Sequence, residues 1–171
     1  MEPIEYVFAA REDIDLMVES RLDFLISFNP KYAKEDAGEL RESLRIYFEK
    51  SLNKGEYISW IAKSGSEFAG IGGMVIYKRP GNFLVSDGIT GYIINMYTVP
   101  QFRKLGIATA ILNKLVESGK DLGVSFFELH ASQQGEPIYL KQGFHLHNQP
   151  TYRKWLAPED ITKINLKMNA N

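Results

Sequence analysis

Apolar residues recur along the chain at two different spacings, which separate predicted helices from predicted strands. Apolar positions three and four residues apart predict amphipathic helices over residues 14–28 and 33–52. A longer helix is predicted over residues 105–122, and Gly123 is placed to end it. A short fourth helix is predicted over residues 137–142.

Strands are predicted where β-branched and aromatic residues lie between turn residues. A helix of crossover length joins residues 91–99 to residues 124–130 only, so these two strands should be parallel and the other pairs mostly antiparallel. The pattern predicts one α/β (α+β) domain, with a mixed, mostly antiparallel sheet of six or seven strands and about four flanking helices. The predicted strands cover residues 4–9, 57–62, 67–77, 91–99, 124–130, 144–147 and 151–156.

Composition and charge exclude several classes of function, although they say little about the fold. The 171 residues suit one domain, and 20 basic against 21 acidic side chains argue against a general nucleic-acid-binding protein. Cysteine is absent from the sequence, which excludes disulfides, thiolate metal sites and a thiol nucleophile. No secretory signal pattern is present, and no apolar run reaches the roughly 18 to 20 residues of a membrane span. We therefore expect a cytoplasmic protein that binds neither nucleic acid nor membranes.

The segment between the strand at residues 91–99 and the long helix is suited to holding an anion. The first amides of a helix have no intrahelical partner and lie at the positive end of its dipole. Gly106 permits a tight turn and close approach of phosphate oxygens, while Ala108 is small and Arg103 and Lys104 add positive charge. The pattern is neither a dinucleotide-binding G-x-G-x-x-G nor a Walker loop. The alternative interpretation is an ordinary strand–turn–helix joint.

Two motifs resemble those of the GCN5-related N-acetyltransferases, the GNAT family. The pattern R-x-x-G-x-A at residues 103–108, preceded by T-V-P, resembles the acyl-CoA signature of that family. The run P-I-Y-L-K-Q-G-F at residues 137–144 resembles its late Tyr-x-x-x-Gly-Phe element. Together with the element order, the resemblance covers nearly the whole chain. It implies an N-acetyltransferase domain over residues 1–157, followed by a polar tail over residues 158–171.

The resemblance also implies acetyl-CoA as co-substrate, bound where the sheet splays into a V between its two parallel central strands. Pantetheine would pair with backbone at the end of the first of these strands, and pyrophosphate would lie on amides of residues 104–109. Ser132 occupies the place where many members carry an asparagine that contacts the cofactor. No metal is expected, since His145-Leu146-His147 alone is a weak signal. The expected cofactor-binding residues are Met96, Tyr97, Thr98, Arg103, Lys104, Leu105, Gly106, Ile107, Ala108, Thr109, Ser132 and Tyr139.

The implied reaction is acetyl transfer to a primary amine of a small molecule or peptide by direct attack in a ternary complex. Proximity of the two reactants supplies much of the rate, so no covalent enzyme intermediate is needed. Tyr139 matches the family tyrosine that protonates the departing sulfur; the alternative is an aromatic side chain that only packs. The general base stays open between Glu128 and His130, which are two residues apart on one strand face. A backbone N–H near Met96 or Tyr97 is a candidate oxyanion donor.

Residues for the acceptor are expected on the first two helices and at the splay. Phe24 and Phe28 are predicted to contact the acceptor, although helix-to-sheet packing is the ordinary role of such residues. Asn95 is predicted to position substrate or water, or else to mark a bulge, and the loop over residues 79–87 is a flap or a plain hairpin connection. The sequence leaves open the acceptor, acyl groups other than acetyl and the role of the tail.

Two further functions remain alternatives. One is a catalytically inactive acyl-CoA-binding regulatory module, and the other is a phosphate- or nucleotide-binding protein that uses the helix end at Gly106 differently. The presence of Tyr139 favours the enzyme over the inactive module. Oligomeric state is also open, although a homodimer is common in the family that the motifs resemble.

Overall fold

In the described part of the chain, five strands form one sheet, and their order in space follows their order in the chain. The computed structural model describes residues 2–29 and 37–154. Neighbouring strands are antiparallel except for the last pair, which is parallel as predicted. The strands are β1 (Ile4–Phe8), β2 (Tyr57–Ser64), β3 (Glu67–Lys78), β4 (Ile89–Thr98) and β5 (Phe126–Leu129).

Helices cover both faces of this sheet. The described helices are α1 (Ile14–Phe28), α2 (Gly38–Asn53), α3 (Ile107–Asp121) and α4 (Glu136–Lys141), with short 3-10 turns at Arg11–Asp13 and Pro100–Phe102. On one face, α3 packs through residues such as Ile111 and Leu115 onto Met74 and Ile93. On the other face, α1 and α2 form a second core with β2 and β3. That second core includes Met17, Val18, Leu22, Phe48, Tyr57, Ile61 and Ile71.

The sheet has fewer strands than the six or seven predicted. Within the described residues, 144–147 and 151–154 are not strands. Phe144 packs against the α3 core, but Leu146 is 87% exposed and Tyr152 is 90% exposed, so the two segments have no shared apolar face to bury. The start of the second predicted helix (residues 33–36), the last predicted strand residues (155–156) and the predicted tail (158–171) lie outside the described residues.

The parallel pairing of β4 with β5 covers only part of β4. It runs from Thr90 opposite Phe126 to Ile93 opposite Leu129, whereas β4 continues to Thr98. Residues 94–98 therefore have no β5 partner within the described part of the chain. The sheet opens at this point, as the predicted splay requires.

A β-bulge lies where the sheet opens. On β3, Ile71 and Gly73 are two residues apart, but their β4 partners Tyr97 and Ile94 are three apart, so β4 carries one extra residue. Asn95 within the bulge has φ of +59°, a conformation that non-glycine residues rarely adopt. Because one inserted residue reverses the alternation of side chains, Tyr97 faces the α1–α2 core together with Ile94.

Candidate active site

The loop between β4 and α3 presents a row of free backbone amides. The buried side chain of Phe102 anchors the loop, and Lys104 and Gly106 then adopt φ of +65° and +80° before α3 begins. Among the described residues, no oxygen accepts a hydrogen bond from the backbone N–H groups of residues 104–109. Successive free amides at a helix N-terminus form a concave site that favours an anion. The segment predicted to bind pyrophosphate thus has the required donors.

The side chains of this loop have separate roles. An added Cβ at Gly106 would meet nothing within 4 Å, so its requirement for glycine comes from the left-handed backbone rather than from crowding. Arg103 donates from Nε to the Thr98 carbonyl oxygen at 3.2 Å, which keeps its positive charge beside the amides. The side chain of Ile107 is only 1% exposed, so this predicted cofactor residue can contribute only its backbone. Leu105 is exposed, and Ala108 and Thr109 are half-buried.

The open edge of β4 offers backbone groups to an extended ligand. Tyr97 and Thr98 pair with Ile71 and Gly70 of β3 on one side only. Met96 packs its side chain into the α3 core, whereas Tyr97 packs into the α1–α2 core. The main chain between them is thus left facing the opening between β4 and β5. Main-chain donors and acceptors at an open strand edge are suited to an amide-containing chain such as pantetheine.

Tyr139 lies on α4, close to Ser132. Its ring packs against the α3 core and forms an edge-on contact with Phe144, with ring centroids 6.1 Å apart. Burial raises the pKa of Tyr139, so its phenol keeps its proton at neutral pH. Within the described residues, its hydroxyl has no hydrogen-bond partner. The phenol is therefore free to donate to a ligand.

Ser132 starts the turn that leads into α4. Its hydroxyl oxygen accepts a hydrogen bond from the Gly135 N–H at 3.1 Å, and its carbonyl oxygen accepts from the Glu136 N–H at 2.9 Å. A Cβ added to Gly135 would lie 3.1 Å from Tyr139 and 3.3 Å from the Ser132 hydroxyl. Ser132 thus holds the end of α4 that carries Tyr139. Its hydroxyl can still donate one hydrogen bond.

The two candidate bases each have a phenol partner. Tyr77 donates its hydroxyl to Glu128, and Arg79 lies 3.9 Å from the same carboxylate. Burial, followed by the adjacent Glu128 carboxylate, raises the pKa of Tyr77 to about 12. His130 lies one residue beyond β5, and its Nδ1 is 2.7 Å from the hydroxyl of Tyr92.

A cavity of about 300 Å³ lies between the first two helices and the sheet, at the bulge. Asn95 lines it, 7% exposed, and donates from Nδ2 to the Tyr57 hydroxyl at 3.0 Å. The amide oxygen of Asn95 is buried and has no hydrogen-bond partner among the described residues. Other lining residues include Arg21, Tyr47, Phe48 and Ile94.

The three residues predicted to contact the acceptor do not all line this cavity. Asn95 lies in it, whereas Phe24 is not among its lining residues and instead packs its ring under the Arg21 guanidinium, 5.3 Å from Cζ to the ring centroid. The side chain of Phe28 lies outside the described part of the structure. Sequence reasoning missed Arg21, which occupies the stripe of α1 that otherwise carries apolar residues such as Met17. A charged residue within an apolar stripe was the available signal.

The loop before β4 connects two antiparallel strands. Asn82 accepts hydrogen bonds at its side-chain oxygen from the amides of Leu84 and Val85, and Val85 is buried beneath the loop. Phe83 and Leu84 at its tip are fully exposed. The loop is thus a structured hairpin connection, and its action as a flap stays a prediction.

Two other features bear on the range of possible functions. In the described ranges, no group of three or more His, Cys, Asp or Glu side chains is arranged to hold a metal ion. None of the helices in those ranges is long and apolar enough to cross a membrane.

Comparison with known proteins identifies the domain. The family model for the acetyltransferase (GNAT) domain matches residues 29–162. No curated protein matches this sequence significantly.

Solved structures share the fold along nearly their whole length. A predicted acetyltransferase from Clostridium acetobutylicum, solved with acetyl-CoA, is 29% identical with a TM-score of 0.77, covering 94% of this chain and 98% of that one. A GCN5-related N-acetyltransferase from Ralstonia eutropha is 22% identical with a TM-score of 0.75, covering 89% and 99%. Glucosamine-6-phosphate N-acetyltransferase from Arabidopsis thaliana is 17% identical with a TM-score of 0.64, covering 91% and 100%.

Proposed function

The chain belongs to the GNAT family of N-acetyltransferases, and from this premise we propose that it uses acetyl-CoA to acetylate a primary amine of a small molecule or peptide. The observation that carries the proposal is the presence of two nearby sets of main-chain groups without a partner in the described structure: the β5 side of β4 beyond Ile93 and the amides of residues 104–109. The 29%-identical Clostridium protein, which was solved with acetyl-CoA, supports the choice of co-substrate.

Distinct parts of the chain fit distinct parts of the co-substrate. The amides of residues 104–109 and the charge of Arg103 fit the pyrophosphate. The main chain of residues 96–98 fits pantetheine, because its polar groups on the β5 side have no strand partner. Ser132 keeps a hydroxyl hydrogen for one further contact. When bound, acetyl-CoA supplies the acetyl group as an activated thioester.

The remaining groups of the site handle protons and orientation. The Tyr139 hydroxyl is suited to protonate the leaving sulfur, since burial keeps its proton in place. Glu128 and His130 are the candidates to accept a proton from the acceptor ammonium, directly or through a water molecule. Tyr77 and Tyr92 orient these two groups by hydrogen bonds. Both reactants would be bound together, and no covalent enzyme intermediate is needed.

The proposal includes the extent of the domain. We assign the N-acetyltransferase domain to residues 1–157 and a polar tail to residues 158–171, although the family match extends to residue 162. The β1–β2 pairing supports including the first strand in this domain, because Ile4 to Phe8 pair along their whole length with β2.

A thermal-shift series with acetyl-CoA, CoA and ATP tests the co-substrate. A ligand at 100 times its dissociation constant should stabilise the fold by about 2.7 kcal/mol, and we expect this for acetyl-CoA and CoA but not for ATP. Stabilisation by ATP alone would favour the phosphate-binding alternative.

Release of CoA across a panel of amines tests the reaction itself. Acetyl-CoA binding without thiol release from any amine would favour the inactive acyl-CoA-binding module. We expect thiol release that depends on the amine and yields the acetylated amine in equal amount.

A further inference from the structure

Arg21 lines the cavity beside the bulge, and its positive charge has no acidic partner among residues 2–29 and 37–154. Arg21 is half-buried, its guanidinium lies over the Phe24 ring, and the phenols of Tyr57 and Tyr92 are near enough to act on it electrostatically. Among the described residues, no carboxylate lies within salt-bridge distance of it, whereas Arg41 and Arg45 of α2 bind Glu19 and Asp15 of α1. A guanidinium removed from water usually has an anionic partner, because burying an unpaired charge is costly.

Within the described part of the chain, the other charged groups near the cavity form no ion pair with Arg21. Glu128 is already engaged by Tyr77 and Arg79. Asp23, two residues along α1, forms no ion pair with Arg21, and its charge is among the causes that raise the pKa of Tyr97. Arg153 adds a second positive charge near Tyr92. Of the described charges that act on the Tyr92 phenol, Arg153 and Arg21 are positive, and the negative one, Glu128, is already bound by Tyr77 and Arg79.

Asn95 supplies an independent sign that the cavity receives a ligand. Its amide oxygen is buried without a donor, although buried polar side chains are nearly always hydrogen-bonded. Its other amide atom is committed to Tyr57, and its backbone is held in the left-handed region by the bulge. An unpaired acceptor at this position is suited to an N–H of a bound molecule.

The position and size of the cavity limit what that molecule can be. The bulge marks the point where β4 loses its β5 partner, so the cavity adjoins the opening proposed for pantetheine. Its volume of about 300 Å³ is at the lower end for ligand pockets and suits a compact molecule rather than a protein segment.

We propose that the acceptor is a small primary amine that carries a compact anionic group, a carboxylate or a phosphate. Arg21 binds the anion, and the amide oxygen of Asn95 accepts a hydrogen bond from the amine. This inference rests on the proposed acetyltransferase function and specifies its substrate class. In the transfer, the acceptor ammonium first gives one proton to the base. The N–C bond then forms as the C–S bond breaks, the sulfur gains a proton from Tyr139, and the second proton that the nitrogen loses on becoming an amide restores the Tyr139 phenol.

Matched acceptor pairs test the inference on the unmodified protein. Amino acids are compared with their carboxamides, and phosphoethanolamine with ethanolamine, with diaminopropane as a cationic reference. We expect kcat/KM for the anionic member to exceed that for its neutral partner by about tenfold or more. The ratio of kcat/KM for the anionic acceptor to kcat/KM for its neutral partner is compared between the two pairs. The pair with the larger ratio shows whether the preferred anion is a carboxylate or a phosphate. Equal or better turnover of the neutral or cationic amines overturns the inference.

Variants of Arg21 give the second test. We expect Arg21→Gln to raise KM for the preferred anionic acceptor by about tenfold and to change KM for the neutral analogue by less than about twofold. For the anionic acceptor, KM of Arg21→Lys should lie between the values of the wild type and of Arg21→Gln. Arg45→Gln is the matched control, because it removes an exposed arginine from the neighbouring helix without touching the cavity. Equal losses for anionic and neutral acceptors would assign Arg21 to structure.

The failure of the inference is distinguishable from failure of the proposed function. Acetyl-CoA affinity is measured by calorimetry, and melting temperature is measured for every variant. If acetyl-CoA binds but no anionic amine is acetylated, the inference about the acceptor is rejected. The proposed binding of acetyl-CoA is then unaffected. If acetyl-CoA does not bind, the proposed function itself is rejected.

Discussion

At the scale of single residues, the phenol of Tyr139 keeps its proton at neutral pH, and its hydroxyl forms no hydrogen bond with any described residue. We expect Tyr139→Phe to lower kcat by about a hundredfold, the lower end for general acid catalysis, because the sulfur would leave without a proton. The ring and its contact with Phe144 are kept, so the dissociation constant for acetyl-CoA should change by less than about twofold. Steady-state kinetics and calorimetry measure the two quantities, and an equal loss in both would assign Tyr139 to binding.

Two substitutions of Gly106 can separate the effect of charge from the effect of backbone strain at the proposed pyrophosphate site. Any side chain at φ of +80° is strained by about 1–2 kcal/mol, but an added Cβ meets nothing within 4 Å. We expect Gly106→Glu to abolish acetyl-CoA binding, because a carboxylate would stand beside the free amides. Gly106→Gln, with the same size and strain, is the control and should retain more affinity. Calorimetry checks this, and unchanged affinity in the Glu variant would refute the placement of the pyrophosphate.

The candidate residues recoverable from the sequence are those within one contiguous motif. Residues 103–109 are adjacent in the chain, so spacing alone predicts that their amides act together. Arg21 and Tyr57 could not be found in that way, because the cavity is assembled by tertiary packing. Asn95, for example, donates to a phenol 38 positions away.

At the scale of elements, periodicity predicted the helices and the central strands, whereas the bulge at Asn95 was only one of two alternatives that the sequence left open for that residue. The bulge at Asn95 interrupts an otherwise apolar strand, and it depends on the opposing register of β3 rather than on β4 alone. The segment at residues 144–147 was predicted as a strand from local propensity. Its side chains after Phe144 stay exposed, so no packing energy supports pairing there.

The close approach of α3 to the sheet depends on Gly72. A Cβ at this position would lie 2.5 Å from Cγ2 of Ile111 and 3.2 Å from Leu115. We expect Gly72→Ala to destabilise the fold by about 1–3 kcal/mol through overpacking, measured by denaturant unfolding. In the double variant Gly72→Ala/Ile111→Ala, the space vacated by Ile111 should make the loss smaller than the sum of the single losses. Strict additivity would contradict this account of the contact.

At the scale of the whole molecule, the sheet separates two tasks. The α3 face carries the core that positions the free amides, whereas the α1–α2 face carries the cavity with Arg21. The bulge connects the two, since it exposes main chain at the opening and directs Asn95 into the cavity. In the function proposed here, co-substrate and acceptor would approach from different faces and meet where β4 and β5 part.

The buried phenol of Tyr57 makes the stability of the fold depend on pH in the alkaline range. Burial raises the pKa of Tyr57, and burial with the Glu128 carboxylate raises the pKa of Tyr77 to about 12. An unfolded phenol ionises near pH 10, so above that pH the folded state binds more protons than the unfolded state. The contribution of both residues is therefore fully present below about pH 10 and is lost as pH rises further.

We expect the melting temperature to fall more steeply above about pH 10 in the wild type than in Tyr57→Phe, which has no phenol to ionise. Tyr57→Phe also removes the hydrogen-bond partner of Asn95, so it should melt lower at every pH, and the slope rather than the absolute value is the readout. Tyr152→Phe is the control, because Tyr152 is 90% exposed and its removal should leave the wild-type slope intact. Parallel curves for wild type and Tyr57→Phe would show that Tyr57 does not set the alkaline limit of the fold.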